Sequence, residues 1–248
     1  LDLGHYERFL NIFTSQANNV TTGRIYQTVI NKEREGAYLG KTVQVVPHIT
    51  DEIKRRMRLL EEKNFDIIIT ELGGTVGDIE SLPYLEALRQ LRMELHPDDH
   101  ITVHLTLVPY LAAAKELKTK PTQHSVKTLQ SLGIQPDILL CRADIDIPEN
   151  ELEKISKFCN VKRENVIPAL NANDIYEIPL VYHSVNLDDR VVEHFGIENK
   201  EPDLKTWREI VQNISHPDEH VKIAVVGKYT ALKESYKSLI EAIKHGGI

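Results

Sequence analysis

The sequence predicts an α/β protein in which a mostly parallel sheet is covered by helices on both faces. Short apolar runs of strand composition alternate with helix-spaced segments along most of the 248 residues. Strands separated by helices favour parallel pairing with helical cover. A hydrophobic content of 41% and a charged content of 27% are typical of a soluble globular chain long enough to bury a core.

The elements are predicted from apolar spacing and from the residues that begin and end helices. Ser81 is a candidate N-cap, Pro97 blocks helix continuation and Gly133 is a typical helix stop. The polar residues 1–40 contain turn signals, with a turn or strand end at 1–4 and helical spacing near Tyr26. Strands are predicted at 41–49, 65–70, 101–108, 137–141, 166–167 and 221–229. Helices are predicted at 51–63, 81–96, 125–132, 150–159, 204–214 and 233–244.

The order of these elements predicts a division of the chain. Residues 1–197 form the first domain, and 198–220 form a linker region that includes a helix. The pattern then restarts at 221–248, which we interpret as the truncated beginning of a second α/β domain. Because there is no initiator Met and the last residues follow a helix directly, we expect a segment cut from a longer protein.

Charge and cysteine content exclude several classes. The net charge of −7 argues against a general nucleic-acid or anionic-membrane binder. Two cysteines predict no disulfide framework, and the eleven histidines lack a zinc-site spacing. No apolar run approaches 18 residues and no leader is recognisable, so we expect a cytoplasmic protein without membrane contact.

The stretch ELGGTVGDIES, residues 71–81, places carboxylates and glycines directly after a predicted strand. A carboxylate at a strand end can hold Mg²⁺ while phosphate oxygens approach the glycine backbone. Glu71 is therefore a candidate Mg²⁺ ligand, although a solvated turn acid is an equally good interpretation. Asp2, in a similar Asp-x-Gly setting, is a weaker candidate for a second ligand.

A second polar cluster, KTKPTQ at residues 118–123, precedes a predicted helix. Two lysines, two hydroxyls and an amide beside a helix N-terminus suit a triphosphate, although a solvated loop is the commoner origin of such a string. Arg142 leaves a predicted strand and can stack on a base or bind phosphate, and Lys154 lies on the next helix. The turn at Asn171 can read a nucleobase edge with its backbone. No GxxxxGK[ST] phosphate-binding loop occurs.

Several longer strings resemble those of the CTP synthases and stand in the family's order. They are LDLGHYERF (1–9), TTGRIY (21–26), YLGKTVQVVPHIT (38–50), ELGGTVGDIESLPYLEALRQ (71–90), HLTLVPY (104–110), KTKPTQHSVK (118–127), GIQPDILLCR (133–142) and FCNV (158–161). Residues 225–247 resemble the opening of the family's glutamine amidotransferase domain.

The resemblance implies a P-loop NTPase-like ligase that makes CTP. ATP phosphorylates the O4 atom of UTP, and ammonia released from glutamine displaces the phosphate. It further implies Mg²⁺ as cofactor, feedback inhibition by CTP and a homotetramer. Phosphoryl transfer depends on positioning and charge neutralisation, so no residue of this chain is expected to act as acid, base or nucleophile.

The resemblance also implies roles for individual residues. The Mg²⁺ ligands are Asp2 and Glu71. ATP is bound by Asp2, Arg142, Leu170, Asn171 and Ala172. UTP and CTP are bound by Lys118, Thr119, Lys120, Pro121, Thr122, Gln123 and Lys154. Inhibitory CTP is contacted by Asp78, Ile79 and Glu80.

Three departures from the family pattern accompany this resemblance. The P-loop would precede Leu1 and the glutaminase Cys, His and Glu would follow Ile248, so this chain alone is expected to be inactive. The turn Leu170-Asn171-Ala172 replaces a pair that is often charged in the family, which matters only if ATP is bound there through side chains. The alternatives are a nucleotide-gated assembly element without catalysis and another P-loop relative, and KTKPTQ and DIES argue against the latter.

Overall fold

A computed structural model describes residues 3–63 and 65–248. Strand bounds are β1 Val103–Leu107, β2 Tyr110–Leu111, β3 Glu116–Leu117, β4 Ile138–Ala143 and β5 Val166–Leu170. Helix bounds are α1 Leu3–Leu10, α2 Thr22–Arg34, α3 Thr50–Met57, α4 Leu82–Glu94, α5 Lys120–Ser131, α6 Glu149–Cys159, α7 Ile178–Ser184, α8 Leu187–His194, α9 Lys205–Ser215 and α10 Lys237–His245. Contacts divide the chain into one unit of residues 20–201 and a smaller unit formed by the described part of 1–19 with Pro202–Ile248.

The larger unit is built on a parallel sheet with strand order β1-β4-β5. Val103 lies opposite Ile138, and Leu139 lies opposite Val166. Helix α5 connects β1 to β4 and α6 connects β4 to β5, as parallel strands require. The sheet and its flanking helices confirm the predicted α/β class. Strands β2 and β3 form a separate antiparallel pair.

The main core lies around β4 because this central strand has a neighbour on each side. Leu139 and Cys141 are fully buried, and Ile155 and Cys159 of α6 pack into the same cluster. The apolar spacing of α6 faces this sheet, and Asn160 ends the helix in the left-handed conformation that favours Asn or Gly. The core therefore fixes the carboxyl ends of β4 and β5.

A second cluster packs α2 and α3 together through Ile25, Val29 and Ile53. Beside it the buried carboxylate of Glu52 receives hydrogen bonds from one lysine and two arginines, Lys32, Arg55 and Arg56. Burial opposes ionisation of Glu52, but these three cations outweigh it and lower its pKa to about 2. Arg55 and Arg56 belong to α3 like Glu52 itself, so among these three contacts it is the ion pair with Lys32 of α2 that links the two helices.

The smaller unit consists of α1, α9, α10 and the segments that join them. Phe9 of α1 stacks on Trp207 of α9, with ring centroids 5.0 Å apart. This helical start differs from the predicted turn at residues 1–4, because α1 begins at Leu3. Residues 1 and 2 lie outside the described residues.

Three predicted strands are wrong. Residues 65–70 and 221–229 have no strand conformation, and 41–49 ends in a π-helical turn, Val45–Ile49. A strand needs a neighbour to complete its hydrogen-bond ladder, and no described residue pairs with these segments. In the first of them Phe65 and Ile67 are about half exposed.

The remaining elements differ mainly at their ends. Helix α5 begins at Lys120, before the predicted start at 125, because Pro121 suits a first helical turn. Helices α7 and α8, which were not predicted, follow the turn at Asn171. The domain boundaries at 197 and 220 stay predictions. Among the described residues, no helix has the length and apolar content needed to cross a bilayer.

Candidate functional site

A cleft of about 430 Å³ opens beyond the carboxyl ends of β1 and β4. It brings together four of the residues predicted to bind UTP and CTP, Lys118, Thr119, Lys120 and Lys154. Lys115 also lines it, so four lysines face one cleft. Ligands of open parallel sheets bind beyond the carboxyl ends of the strands, and this volume is typical of small-molecule sites.

The local sequence explains why these lysines converge. The backbone N–H of Lys118 donates to the carbonyl of Pro109 at 2.9 Å, which closes the β2–β3 pair beside β1. Two residues later α5 begins, and its first turn presents N–H groups that have no partner within the helix. Lys154 faces the same cleft from α6. A helix N-terminus surrounded by lysines is a favourable environment for phosphate.

Each of two cleft lysines is held by a carboxylate of its own. Lys118 forms an ion pair with Glu116 at 2.5 Å, and Lys154 forms one with Glu151 at 3.0 Å. Both pairs are partly exposed, so solvent screens them and an entering anion can replace the carboxylates. Lys120 instead places its Nζ atom 5.6 Å from the centroid of the Phe158 ring.

The KTKPTQ string also contains three buried residues, Thr119, Thr122 and Gln123, of which Thr119 lies at the edge of the cleft. Thr122 donates to the carbonyl of Leu107 at 2.9 Å, and the amide of Gln123 donates to Thr119 at 3.1 Å. The Thr122 bond ties the first turn of α5 to the end of β1, and the Gln123 bond stays within the start of the helix, whereas Pro121 is exposed. A role of Thr122 and Gln123 in nucleotide binding stays a prediction, and their observed side-chain contacts position the helix.

Arg142 and Asn171 form a second polar group at the same edge of the sheet. Arg142 is the penultimate residue of β4, and Asn171 follows β5 directly. The Nε of Arg142 donates to the Asn171 side chain at 3.3 Å, and that amide donates to Asp144 at 2.6 Å. Asp146, two residues further along this loop, lines the lysine cleft. The β4–α6 loop therefore joins the cleft to the predicted ATP side.

The glycine-rich loop after residue 70 turns sharply at two of its glycines. Gly74 and Gly77 have φ values of +92° and +108°, which side chains rarely adopt. A Cβ atom at Gly74 would lie 2.7 Å from the Ser81 hydroxyl, so the position also lacks space. Asp78 accepts the backbone N–H of Thr75 at 3.3 Å and precedes a short 3₁₀ helix, Ile79–Ser81.

Glu71, Ile79 and Glu80 are all exposed on this loop. None of the three lines the lysine cleft, and Asp2 lies outside the described residues. Within residues 3–63 and 65–248 no group of three or more His, Cys, Asp or Glu side chains forms a metal cluster. The donor chemistry nevertheless fits Mg²⁺, which proteins hold through one or two carboxylates together with substrate phosphates.

Sequence reasoning missed the acidic residues of this edge. Asp144 and Asp146 follow β4 in the string CRADID, and Glu116 and Glu151 pair with cleft lysines. Asp144 directly follows the observed strand β4, but the predicted strand ended at residue 141, so the rule that selected Glu71 did not select Asp144. The two glutamates had no such signal, because their importance comes from the lysines they meet in space.

Comparison with known proteins gives a consistent result. The family model described as CTP synthase N-terminus matches residues 1–197. The CTP synthase of Hydrogenobaculum sp. (strain Y04AAS1) is 57% identical over 248 residues, covering 100% of this chain and 46% of the relative. The CTP synthase of Acidiphilium cryptum (strain JF-5) is 59% identical over 249 residues, with the same coverage. That of Cytophaga hutchinsonii (strain ATCC 33406) is 58% identical over 249 residues.

The chain thus spans about half the length of the curated relatives it matches. The family model covers most of the chain, including every strand of the sheet and all residues of the lysine cleft. The chain therefore belongs to the family described as the CTP synthase N-terminus.

Proposed function

We propose that this chain is the synthetase part of an enzyme that converts UTP to CTP at the expense of ATP. The observation that carries the proposal is the lysine cleft, where Lys118, Lys120 and Lys154 surround the N-terminus of α5. Such a site suits a nucleoside triphosphate in size, charge and available donors. The cleft would hold the triphosphate of UTP before reaction and that of CTP afterwards.

The proposed reaction requires ATP and UTP to bind next to each other at the same edge of the sheet. The bond between the γ-phosphorus of ATP and its bridging oxygen breaks, the O4 of UTP takes the phosphoryl group, and N3 of the uracil releases its proton to solvent. Ammonia then attacks C4, the C4–O4 bond breaks, and phosphate leaves while the nitrogen loses a proton. The cleft residues bind and orient UTP, and Arg142 with the 170–172 turn binds ATP, so the reactants are held close together.

Mg²⁺ is the implied cofactor, with Glu71 and Asp2 as its protein ligands. When bound, it neutralises phosphate charge and polarises the transferred group. Glu71 itself contributes an exposed carboxylate at the start of a turn whose glycines allow phosphate to approach the backbone. These assignments extend the family resemblance to residues of this chain.

Regulation and supply of ammonia complete the proposal. Asp78, Ile79 and Glu80 would contact the cytosine of inhibitory CTP from the tip of the glycine-rich loop. Ammonia would come from glutamine through an amidotransferase domain that begins near residue 221, within a cytoplasmic homotetramer. Nucleic acid and membrane have no place in this function.

The experiment is a comparison of two lysines on α6 in the intact protein. We expect Lys154→Ala to weaken UTP binding roughly 10- to 100-fold, because a charge-assisted contact to phosphate is lost. Lys157→Ala is the matched control: it removes the same charge from the same helix, but Lys157 is exposed, pairs with Glu153 and does not line the cleft.

Isothermal titration with UTP measures both variants, and CTP formation from UTP, ATP and ammonium chloride tests the activity directly. We expect Lys157→Ala to bind UTP within about twofold of wild type, since exposed surface pairs contribute little. Equal losses in the two variants, or wild-type protein that makes no CTP, would contradict the proposed function.

A further inference from the structure

The amide of Asn171 connects two charged side chains of opposite sign. Its oxygen accepts from the Nε of Arg142 at 3.3 Å, and its nitrogen donates to Asp144 at 2.6 Å. A guanidinium can only donate and a carboxylate can only accept, so the orientation of the amide is fixed by its two partners. Both ends of the Asn171 side chain are therefore occupied by the protein itself.

The same contact leaves part of Arg142 available for a ligand. Nε is used by Asn171, while the two terminal nitrogens have no hydrogen-bond partner within residues 3–63 and 65–248. Arg142 is exposed, so nothing buries these nitrogens. Because Asn171 holds Nε, the planar guanidinium directs its terminal N–H groups in one plane. This is the geometry that bidentate hydrogen bonding to an acceptor requires.

The backbone around Asn171 is anchored independently of its side chain. Its own N–H donates to the carbonyl of Ala143 at 3.2 Å, which continues the β4–β5 ladder by one residue. Tyr182 of α7 is partly buried, and burial raises the pKa of its phenol while the positive charge of Arg142 lowers it. Asn171 can therefore hold Arg142 from a backbone position that the sheet fixes.

We propose that Asn171, supported by Asp144, is a positioning residue that orients Arg142 for ATP. Asn171 does not touch the nucleotide through its side chain; it sets the direction in which the guanidinium of Arg142 meets it. This inference rests on the proposed function, because ATP is taken as the ligand of this sheet edge. The same role explains why the 170–172 turn can lack the charged pair often found in the family. The neutral amide of Asn171 bridges Arg142 and Asp144, whereas a carboxylate at this position would be repelled by Asp144.

A double-mutant cycle in the intact protein tests the proposal, with ATP and Mg²⁺ as the probe and binding measured at equilibrium. Asn171→Leu keeps the side-chain size but removes both hydrogen bonds, and we expect it to weaken ATP binding roughly tenfold. Arg142→Ala is expected to weaken ATP binding at least as much. If Asn171 acts through Arg142, the double variant binds ATP no more weakly than Arg142→Ala alone.

Binding of UTP separates positioning from a general structural effect. Because the lysine cleft does not include Arg142 or Asn171, we expect UTP affinity to stay within about twofold in all variants. Asp144→Ala provides a second test that leaves Asn171 in place, and we expect a smaller loss of ATP affinity that also vanishes in the Arg142→Ala background.

The outcomes separate this inference from the proposed function. Wild-type protein that binds no ATP would overturn both. Wild-type ATP binding with losses that multiply in the double variant would overturn the positioning role alone. An equal loss of UTP and ATP affinity in Asn171→Leu would show a structural effect and would also overturn it.

Discussion

Strand β4 and the run at residues 65–70 have similar sequences and different structures. β4 reads ILLCRA and the run reads FDIIIT, so both have the apolar content of a buried strand. β4 has a parallel neighbour on each side, and Leu139 and Cys141 are fully buried. No described residue pairs with 65–70, and Ile69 is 88% exposed. The difference lies in the neighbours, not in the composition.

Strand β1 is intermediate between these two regions. Among the described residues it pairs with β4 alone, and its residues alternate, with His104 and Thr106 buried and Leu105 exposed. Among the described residues β5 also pairs with β4 alone, yet it has no exposed residue, so burial of an apolar run depends on the side chains packed over it as well as on its ladder partners. The predicted site residues differ in the same way: Arg142 is the penultimate residue of β4 and Asn171 directly follows β5, whereas Glu71 follows a run that pairs with no described residue.

The largest expected effect is in the reactivity of cysteine thiols. Burial raises the pKa of Cys141 to about 12 and that of Cys159 to about 11. A thiol introduced by Ile69→Cys at an exposed position should keep a pKa near 8.5. At pH 8 we expect iodoacetamide to label position 69 roughly a thousandfold faster than the two native cysteines, measured by mass spectrometry of peptides.

Labelling in concentrated guanidinium chloride is the control, because all three thiols should then react at similar rates. Slow labelling of the Ile69→Cys variant under native conditions would contradict the exposure of the run. It would show that residues 65–70 are covered in solution, and the comparison with β4 would no longer hold.

Truncation of one aliphatic side chain in each region gives the next largest effect. We expect Leu139→Ala to lower the free energy of unfolding by about 2–5 kcal/mol, since a fully buried leucine leaves a cavity. Ile67→Ala should change it by less than about 1 kcal/mol because its side chain is already half exposed. Urea unfolding of both variants measures the difference, and equal losses would show that the two runs are equally well packed.

The sequence predicted the elements whose local pattern and spatial partner agree. Strand β5 and helix α6 were predicted because their apolar spacing favours the same secondary structure as the packing of the neighbouring strand or helix does. The strands predicted at 41–49, 65–70 and 221–229 failed because a ladder partner is not a local property of a sequence. Helix α5 was predicted, but its predicted start at residue 125 lies after the observed start at Lys120, because Pro121 was interpreted as part of a loop.

The candidate site shows the same limit. The helix-start rule selected Lys118 and Lys120, the family resemblance added Lys154, and all three line one cleft in the structure. The burial of Thr122 was not predictable, because it depends on Thr106 and Leu107 of another element. The bridging role of Asn171 likewise needs Arg142 and Asp144 in defined positions, which only paired strands provide.

The smallest expected effect concerns two histidines whose pKa values are shifted in opposite directions. His104 lies on the buried face of β1, where its Nε2 contacts the Ser125 hydroxyl at 2.9 Å and burial lowers its pKa. His183 has its pKa raised, chiefly by a 2.7 Å hydrogen bond with Asp188. Only the first reports how firmly β1 is held by its single neighbour.

The two shifts predict pH dependences of opposite sign. Below about pH 6.5 the unfolded chain binds a proton at His104 more readily than the folded chain does. The free energy of unfolding therefore decreases as the pH falls. His183 binds its proton more tightly when folded, so its contribution is complete below about pH 6.5 and is lost as the pH rises through its raised pKa. Relative to wild type, His104→Asn should therefore gain stability as the pH falls from 7.5 to 5.5, and His183→Asn should lose stability over the same range.

Urea unfolding at the two pH values measures both changes. A pH-independent difference for His104→Asn would mean that β1 opens enough for its histidine to titrate as in water, which would place this strand with the exposed run rather than with β4.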